Sequence, residues 1–136
     1  SQRCDCGRQL QEAIHLIEEN GYGYIIYLRD HEGRGIGLAE KIRAYVLQDS
    51  GQDTVEANIS IGQPVDDRTY EDAVEILKRL SVKSLTLLTN NPEKSAALTA
   101  DGLTVKVQAL EVVANEHNKK YLETKRDKLN HALGAL

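Results

Sequence analysis

The chain has no phenylalanine, tryptophan or methionine, and its six tyrosines are its only aromatic residues. A core must therefore be built from aliphatic side chains, and 136 residues are enough for one domain, which we expect to span residues 1–136. No apolar run approaches the roughly 18 residues of a membrane span, and the first residues are polar, unlike a secretory signal. These absences predict a cytoplasmic protein with no membrane partner.

Positive charge is also in short supply. The chain has 17 Lys and Arg residues against 21 Asp and Glu residues, which gives a formal net charge of -4 at pH 7. Proteins that bind nucleic acid in general derive much of their affinity from a basic face. We therefore expect no nucleic-acid partner, and any anionic ligand must be met by a local group of cations.

Cysteine occurs only twice, at Cys4 and Cys6. A helix would turn these two side chains to nearly opposite sides, so both sulfurs reach one metal ion only if the segment is a turn or an irregular loop. Zn²⁺ is the usual metal for paired thiolates, but it takes three or four protein ligands. At least one more ligand is then required, and among the histidines only His31 is well placed. Two reduced cysteines without a metal remain an equal alternative.

Hydrophobic spacing predicts alternating helices and strands. Helices are predicted at residues 8–20, 38–50, 70–77, 92–101 and 119–133, and strands at residues 22–28, 85–88 and 103–107. Residues 52–68 have no clean period, and we predict that most of them form a loop. This alternation predicts an α/β fold, a three-layer sandwich in which helices cover a mixed, largely parallel sheet.

Two polar loops follow predicted strands, where ligands collect in such sheets. The first contains Glu32 and Arg34 between glycines that let backbone amides approach a ligand, and the second places Thr89 at a helix N-terminus with Lys94 one turn in. Their cations predict a polyphosphate site. The glycine pattern from Gly33 matches neither the dinucleotide fingerprint nor the P-loop, so a purely structural turn explains it equally well.

Three further side chains have both a chemical and a structural interpretation. Asp66 and Arg68 suit a base, a metal carboxylate or a charged clamp, but a solvated turn after Pro64 accounts for them as well. Tyr45 follows the glycine-rich loop on a helix, where its phenol would reach the same ligand. Filling a core that lacks other aromatic residues is the alternative role for Tyr45.

Several stretches, taken in their order and spacing, resemble the GTP cyclohydrolase II family of riboflavin biosynthesis over nearly the whole chain. They are residues 1–10, residues 31–38, residues 41–45, residues 53–58, residues 88–92 and residues 121–125. The resemblance implies hydrolytic opening of the imidazole ring of GTP with loss of formate and pyrophosphate. The product would be 2,5-diamino-6-(5-phosphoribosylamino)pyrimidin-4-one. It also implies Mg²⁺ on the triphosphate, a homodimer, and a possible fusion to a dihydroxybutanone-phosphate synthase domain.

The resemblance implies roles for individual residues. Three cysteines hold a catalytic Zn²⁺ in the family; Cys4 and Cys6 match the second and third, and the first, with the amino-terminal strands, is expected upstream of Ser1. Tyr45 matches an essential tyrosine and Asp66 a proposed proton acceptor. Arg68 matches a proposed nucleophile, although a guanidinium with a pKa above about 12 is better suited to clamp the α-phosphate. The positions that match GTP contacts are Gln9, Glu32, Gly33, Arg34, Thr54, Thr89 and Lys94.

Two other functions remain open at the level of sequence. One is a guanine-nucleotide-binding module of the same fold that has lost catalysis, and the other is a related zinc hydrolase that acts on a different base. The presence of Tyr45, Asp66 and Arg68 together with both cysteines favours the enzyme, because a module that only binds nucleotide has no physical need for all of them.

Overall fold

A computed structural model describes residues 3–110 and 114–133, which fold into two compact units. We call Ser1–Ile26 with Tyr70–Leu136 the sheet unit, and Tyr27–Thr69 the loop unit. Within the described residues, no helix has both the length and the apolar character needed to cross a membrane. The helices are α1 (Cys6–Asn20), α2 (Gly37–Asp49), α3 (Thr54–Ser60), α4 (Glu71–Arg79), α5 (Pro92–Ala100) and α6 (Lys119–Leu129), and the strands are β1 (Ser84–Leu88) and β2 (Thr104–Gln108).

The sheet unit contains a parallel strand pair joined by a helix. β1 pairs with β2 in the register Ser84 with Thr104 through Leu88 with Gln108, and α5 makes the crossover between them. A crossover of this kind is what parallel strands require. The prediction of mixed helix and strand with parallel pairing is therefore confirmed, whereas the described residues form a two-stranded sheet and do not show a three-layer sandwich.

The core of the sheet unit is aliphatic, as the composition requires. Val74 and Leu77 of α4 pack with Leu98 of α5 and with Leu103, and all four are buried. Partly buried side chains surround this cluster, including Leu87 of β1. The cluster packs α4 and α5 against the two strands.

The junction between β1 and α5 is fixed by asparagines. Asn91 Oδ1 accepts a hydrogen bond from Glu93 N–H at 3.0 Å, and Pro92 is the first helical residue, which confirms the predicted cap. The side chain of Asn90 donates to the carbonyl of Leu110 and accepts from its N–H, both at 2.9 Å. Asn90 thus ties the end of β1 to the segment that follows β2.

The predicted buried strand at residues 22–28 is wrong. The segment forms no regular element, and the exposed fractions of Tyr22, Tyr24 and Tyr27 are 80%, 62% and 71%. Ile26 alone of this segment packs against the core cluster of the sheet unit among the described residues. An extended, apolar segment becomes a strand only when a neighbour pairs with its backbone groups, and no described strand does so here.

Residues 52–68 were predicted to be mostly loop, and this is wrong for α3. Asp53 Oδ1 accepts from Val55 N–H at 2.8 Å and from Glu56 N–H at 3.0 Å, while Glu56 Oε2 accepts from Asp53 N–H at 3.0 Å. This reciprocal arrangement is a capping box. A short helix with a strong cap forms although its sequence has no clear hydrophobic period.

Replacing Leu77 by alanine tests the core. We expect Leu77→Ala to lower the free energy of unfolding by about 2–5 kcal/mol, because it removes a buried side chain and leaves a cavity. Ile76→Ala is the matched control, since Ile76 is the preceding residue of α4 and is exposed; its loss should be below about 1 kcal/mol. Urea unfolding followed by circular dichroism measures both, and equal losses would contradict the assigned core.

Candidate active site

The two thiols lie at the start of α1 in the sheet unit. Cys4 precedes the helix and is half-buried, Asp5 is the N-cap residue, and Cys6 is the exposed first residue of α1. A hydrogen bond with Cys4, burial of the thiol and the charge of Cys4 raise the pKa of Cys6, while the charge of Lys125 acts in the opposite direction. The helix begins at Cys6, two residues before its predicted start at residue 8, and Cys4 lies in the irregular segment that precedes it.

The donor chemistry of this turn fits zinc but is incomplete within the described residues. Two soft thiols close enough to share a proton are a normal part of a zinc site. Across residues 3–110 and 114–133, no three side chains of His, Cys, Asp or Glu are grouped so as to hold a metal ion. Cys4 and Cys6 are therefore the residues that would hold it, and further ligands must come from elsewhere.

A buried ion pair lies directly behind the thiols. Lys125 Nζ of α6 is 2.7 Å from Asp5 Oδ1, and the exposed fractions of Asp5 and Lys125 are only 1% and 6%. Gln9 Nε2 donates to the other carboxylate oxygen of Asp5. Burial opposes the charged form of Lys125, but the interactions with Tyr121 and with the Asp5 carboxylate outweigh it and raise the pKa of Lys125. Lys125 is therefore a charged ammonium at neutral pH.

The sheet unit also carries Thr89 and Lys94. Thr89 follows β1, is buried, and accepts a hydrogen bond through Oγ1 from Asn91 N–H at 3.1 Å. Lys94 is half-buried in the first turn of α5. Both residues therefore lie at the strand end and helix start where the sequence predicted them, and their role in binding GTP stays a prediction.

In the loop unit, the glycine loop (Arg29–Gly35) packs its backbone against the segment that contains Asp66 and Arg68. Asp67 N–H donates to the carbonyl of Arg34 at 2.9 Å. Gly35 has φ +91°, and a Cβ at this position would be 3.1 Å from the carbonyl carbon of Asp67. Gly35 is therefore required by both its conformation and the close approach of two backbones.

Asp66 and Arg68 form a two-pronged ion pair beside the glycine loop. Arg68 Nε donates to Asp66 Oδ1 at 2.8 Å, and Arg68 Nη2 donates to Asp66 Oδ2. Burial alone would raise the pKa of Asp66, but hydrogen bonds and charge from Arg68, with a further contribution from the charge of Arg34, lower it. Asp66 is therefore a carboxylate at neutral pH.

Arg34 contributes a buried guanidinium to the same region. Its exposed fraction is 9%, and its backbone is left-handed, with φ 64°. Arg34 Nη2 is buried and has no hydrogen-bond partner among the described residues. A buried donor without an acceptor is unfavourable, and an anionic ligand would supply the missing acceptor.

Glu32 and Tyr45 are linked by a residue that the sequence analysis did not select. Lys41 Nζ is 2.5 Å from Glu32 Oε1 and 5.8 Å from the ring centre of Tyr45. The hydrogen bond from Lys41 lowers the pKa of Glu32, and the N–H of Gly33 also donates to this carboxylate. Lys41 lies one turn before Tyr45 on α2, so its place in a matching stretch was the available signal.

Thr54 is the first residue of α3, which packs against α2. Its half-buried side chain thus lies at a capped helix start within the loop unit. In total, this unit holds the predicted site residues Glu32, Gly33, Arg34, Tyr45, Thr54, Asp66 and Arg68, and the sheet unit holds Cys4, Cys6, Gln9, Thr89 and Lys94.

Comparison with known proteins identifies the family. Residues 1–110 match the family model described as GTP cyclohydrolase II. Since this is most of the chain, the protein belongs to the GTP cyclohydrolase II family, which confirms the resemblance drawn from its motifs.

Named relatives agree with this assignment. The chain is 53% identical over 135 residues to the riboflavin biosynthesis protein RibBA of Salinispora tropica, covering 98% of this chain and 34% of that protein. It is 51% identical over 136 residues to the bifunctional riboflavin biosynthesis protein RIBA 1, chloroplastic, of Arabidopsis thaliana, covering 98% and 25%. It is 49% identical over 137 residues to the probable monofunctional riboflavin biosynthesis protein RIBA 3, chloroplastic, of Oryza sativa subsp. japonica, covering 99% and 25%. The chain spans about a quarter to a third of the length of these curated relatives.

The ion pair of Asp66 predicts a measurable titration shift. Arg68→Met should raise the pKa of Asp66, because burial then acts without the opposing guanidinium. Carboxyl-carbon NMR titration measures this shift. Arg43→Met is the control, since Arg43 pairs with Glu40 instead, and it should leave the pKa of Asp66 unchanged.

The same pair predicts the direction of the pH dependence of stability. The folded-state pKa of Asp66 is depressed, so its contribution to stability is present above the unfolded pKa of about 3.9 and is lost as pH falls through the folded pKa. An Asp66 pKa that is the same with and without Arg68 would contradict the arrangement.

Proposed function

We propose that this chain forms the GTP-binding and ring-opening part of a GTP cyclohydrolase II. The reaction would hydrolyse the imidazole ring of GTP, releasing formate and pyrophosphate, and its product would enter riboflavin biosynthesis. Family membership and the relatives named for riboflavin biosynthesis support this proposal. The single observation that carries it is the buried Arg34 guanidinium, whose Nη2 has no partner among the described residues.

The arrangement around Arg34 suits a phosphate ligand. Asp66 is already engaged by Arg68 through both of its carboxylate oxygens. This leaves Arg34 Nη2 as a charged donor that an incoming oxygen anion would satisfy. The N–H groups of a loop with left-handed residues favour the same class of ligand. We therefore place the triphosphate of GTP, with its Mg²⁺, at the glycine loop.

The geometry of Arg68 supports a clamp more strongly than a nucleophile. A guanidinium becomes nucleophilic only after losing a proton, and its pKa is above about 12. Asp66 is the neighbouring acceptor, but its lowered pKa makes it a poor base for that proton. Asp66 would instead fix the orientation of the planar Arg68 guanidinium, and this guanidinium would stabilise negative charge at the α-phosphate.

The thiol pair would hold the catalytic Zn²⁺, with a further ligand from outside the described residues. When bound, zinc supplies a water molecule whose pKa is lowered toward about 7. Cys4 and Cys6 would provide two anionic sulfurs, and Gln9 lies one helical turn further along α1. Gln9 would then contact GTP close to the metal.

Tyr45 would act on the base or ribose of GTP. Lys41 contacts both its ring and Glu32, which restricts the position of the phenol. Held in this way, Tyr45 would orient the guanine ring or donate a proton during ring opening. Glu32 and Thr54 would add polar contacts to the nucleotide.

The remaining parts of the proposal concern the whole protein. We propose a homodimer, a cytoplasmic location, and a larger, mostly parallel sheet arranged as a three-layer sandwich. Fusion to a dihydroxybutanone-phosphate synthase domain is consistent with the Arabidopsis thaliana relative, which is named bifunctional and is about four times as long as the matched region.

Formate release from GTP tests the proposed function in the full-length protein with Zn²⁺ and Mg²⁺. Cys4→Ser should abolish formate release while leaving GTP binding nearly unchanged. Arg34→Met should weaken GTP binding about tenfold to a hundredfold, because it removes a charge-assisted hydrogen bond. Arg43→Met should match the wild type. Tight GTP binding by a zinc-loaded protein that releases no formate would favour the binding module, and the absence of both would reject the proposal.

A further inference from the structure

We propose that Lys125 is a positioning residue: its buried ion pair with Asp5 fixes the turn that presents Cys4 and Cys6, and it orients Gln9 through the same carboxylate. This inference rests on the proposed metal site, but the contacts that carry it lie entirely within the sheet unit. No step of the proposed reaction uses Lys125 or Asp5.

The hydrogen-bond partners of the Asp5 carboxylate are unusual for an N-cap residue. An aspartate at the N-cap of a helix normally accepts hydrogen bonds from backbone N–H groups of the first turn. Asp5 is the N-cap of α1 but makes no side-chain cap bond. Its oxygens accept instead from Lys125, which is 120 positions away in the chain, and from Gln9. A local cap is thus replaced by a tertiary contact.

The direction of the Asp5 side chain determines where its neighbours point. Asp5 is almost fully buried, whereas Cys4 on one side is half-buried and Cys6 on the other is exposed. The two thiols flank this buried carboxylate and are close enough to interact through a hydrogen bond. Without the ion pair between Lys125 and Asp5, this turn would lose its fixed conformation.

Lys125 can hold the Asp5 side chain in place because the position of Lys125 is itself fixed. Leu122, on the preceding turn of α6, is fully buried. Lys125 Nζ lies 4.7 Å from the ring centre of Tyr121, which adds a cation–π contact. The lysine is therefore held by a packed helix before any ligand binds, as groups that support metal ligands usually are.

The same contact positions Gln9. Gln9 Nε2 donates to the Asp5 oxygen that Lys125 does not use, and Gln9 N–H donates to the Asp5 carbonyl at 2.9 Å. With its amide nitrogen held in this way, the side-chain oxygen of Gln9 is left to accept a hydrogen bond from a ligand. One buried carboxylate thus couples the thiol turn to a predicted nucleotide contact.

Zinc affinity and local hydrogen exchange test this role in the full-length protein. We expect Lys125→Met to weaken zinc binding about tenfold to a hundredfold in chelator competition. In the zinc-free protein it should also speed amide exchange across residues 5–9. Lys125→Arg should restore most of both properties because it keeps the charge. Lys119→Met, on the exposed first turn of the same helix, is the control and should behave as the wild type.

A second variant separates positioning from loss of folding. Lys125→Met alone leaves the Asp5 charge buried without its partner, which can unfold the protein. The double variant Asp5→Asn with Lys125→Met removes both charges and should therefore fold. Its zinc affinity should remain reduced, because the ion pair that fixes the turn is absent.

The outcomes distinguish this inference from the proposed function. Wild-type zinc affinity in the folded double variant, or unchanged exchange across residues 5–9 in both variants, would overturn the positioning role. A wild-type protein that binds no zinc would reject the proposed metal site. In that case faster exchange in the Lys125 variants would still establish that the ion pair holds the turn.

Discussion

The ion pair between Asp5 and Lys125 joins the start of the first helix to the last helix of the sheet unit. Removing two charges from water costs several kcal/mol for each ion, and their attraction repays this only when the geometry is good and the remaining lone pairs are bonded. Here Gln9 satisfies the second carboxylate oxygen. The position of the thiols at the beginning of α1 therefore depends on a residue near the other end of the chain.

The loop unit also contains an ion pair between a carboxylate and a cation, here next to the glycine loop. Asp66 holds Arg68 through two hydrogen bonds, and the backbone of the glycine loop lies against this segment because Gly35 has no side chain. Two guanidinium groups are thus kept near one carboxylate. Among the described residues Arg34 Nη2 has no hydrogen-bond partner, so this cationic donor suits a polyanionic nucleotide. In each unit a carboxylate in an ion pair, buried for Asp5 and half-buried for Asp66, orients groups that are proposed to act on GTP.

Local signals in the sequence predicted much of the fold. The helical spacing found α1, α2, α4 and α6 to within a few residues, and the Asn91–Pro92 pair located the start of α5. Prediction failed at residues 22–28, because strand formation depends on a pairing partner rather than on the apolar pattern. It also failed at α3, where the capping box of Asp53 and Glu56 outweighed the missing hydrophobic period.

For the candidate site, the sequence predicted several residues but not the cations that pair with them. A family-matching stretch contains Glu32 and Arg34, the resemblance also implied roles for Asp66 and Arg68, and the structure places all four in one unit. Lys41 and Lys125 lie in family-matching stretches but were not selected, since their ion pairs with Glu32 and Asp5 leave no periodic or spacing signal in the sequence. Only the folded chain shows which cations the carboxylates contact, and hence which charges are already paired.

X-ray absorption at the zinc edge tests the central claim, that Cys4 and Cys6 are ligands of a catalytic metal, most directly. For the zinc-loaded full-length protein we predict a sulfur shell at about 2.3 Å, and Cys4→Ser should remove one sulfur neighbour from it. A first shell made only of nitrogen or oxygen at about 2.0–2.1 Å, or a sulfur shell that Cys4→Ser leaves unchanged, would contradict the account.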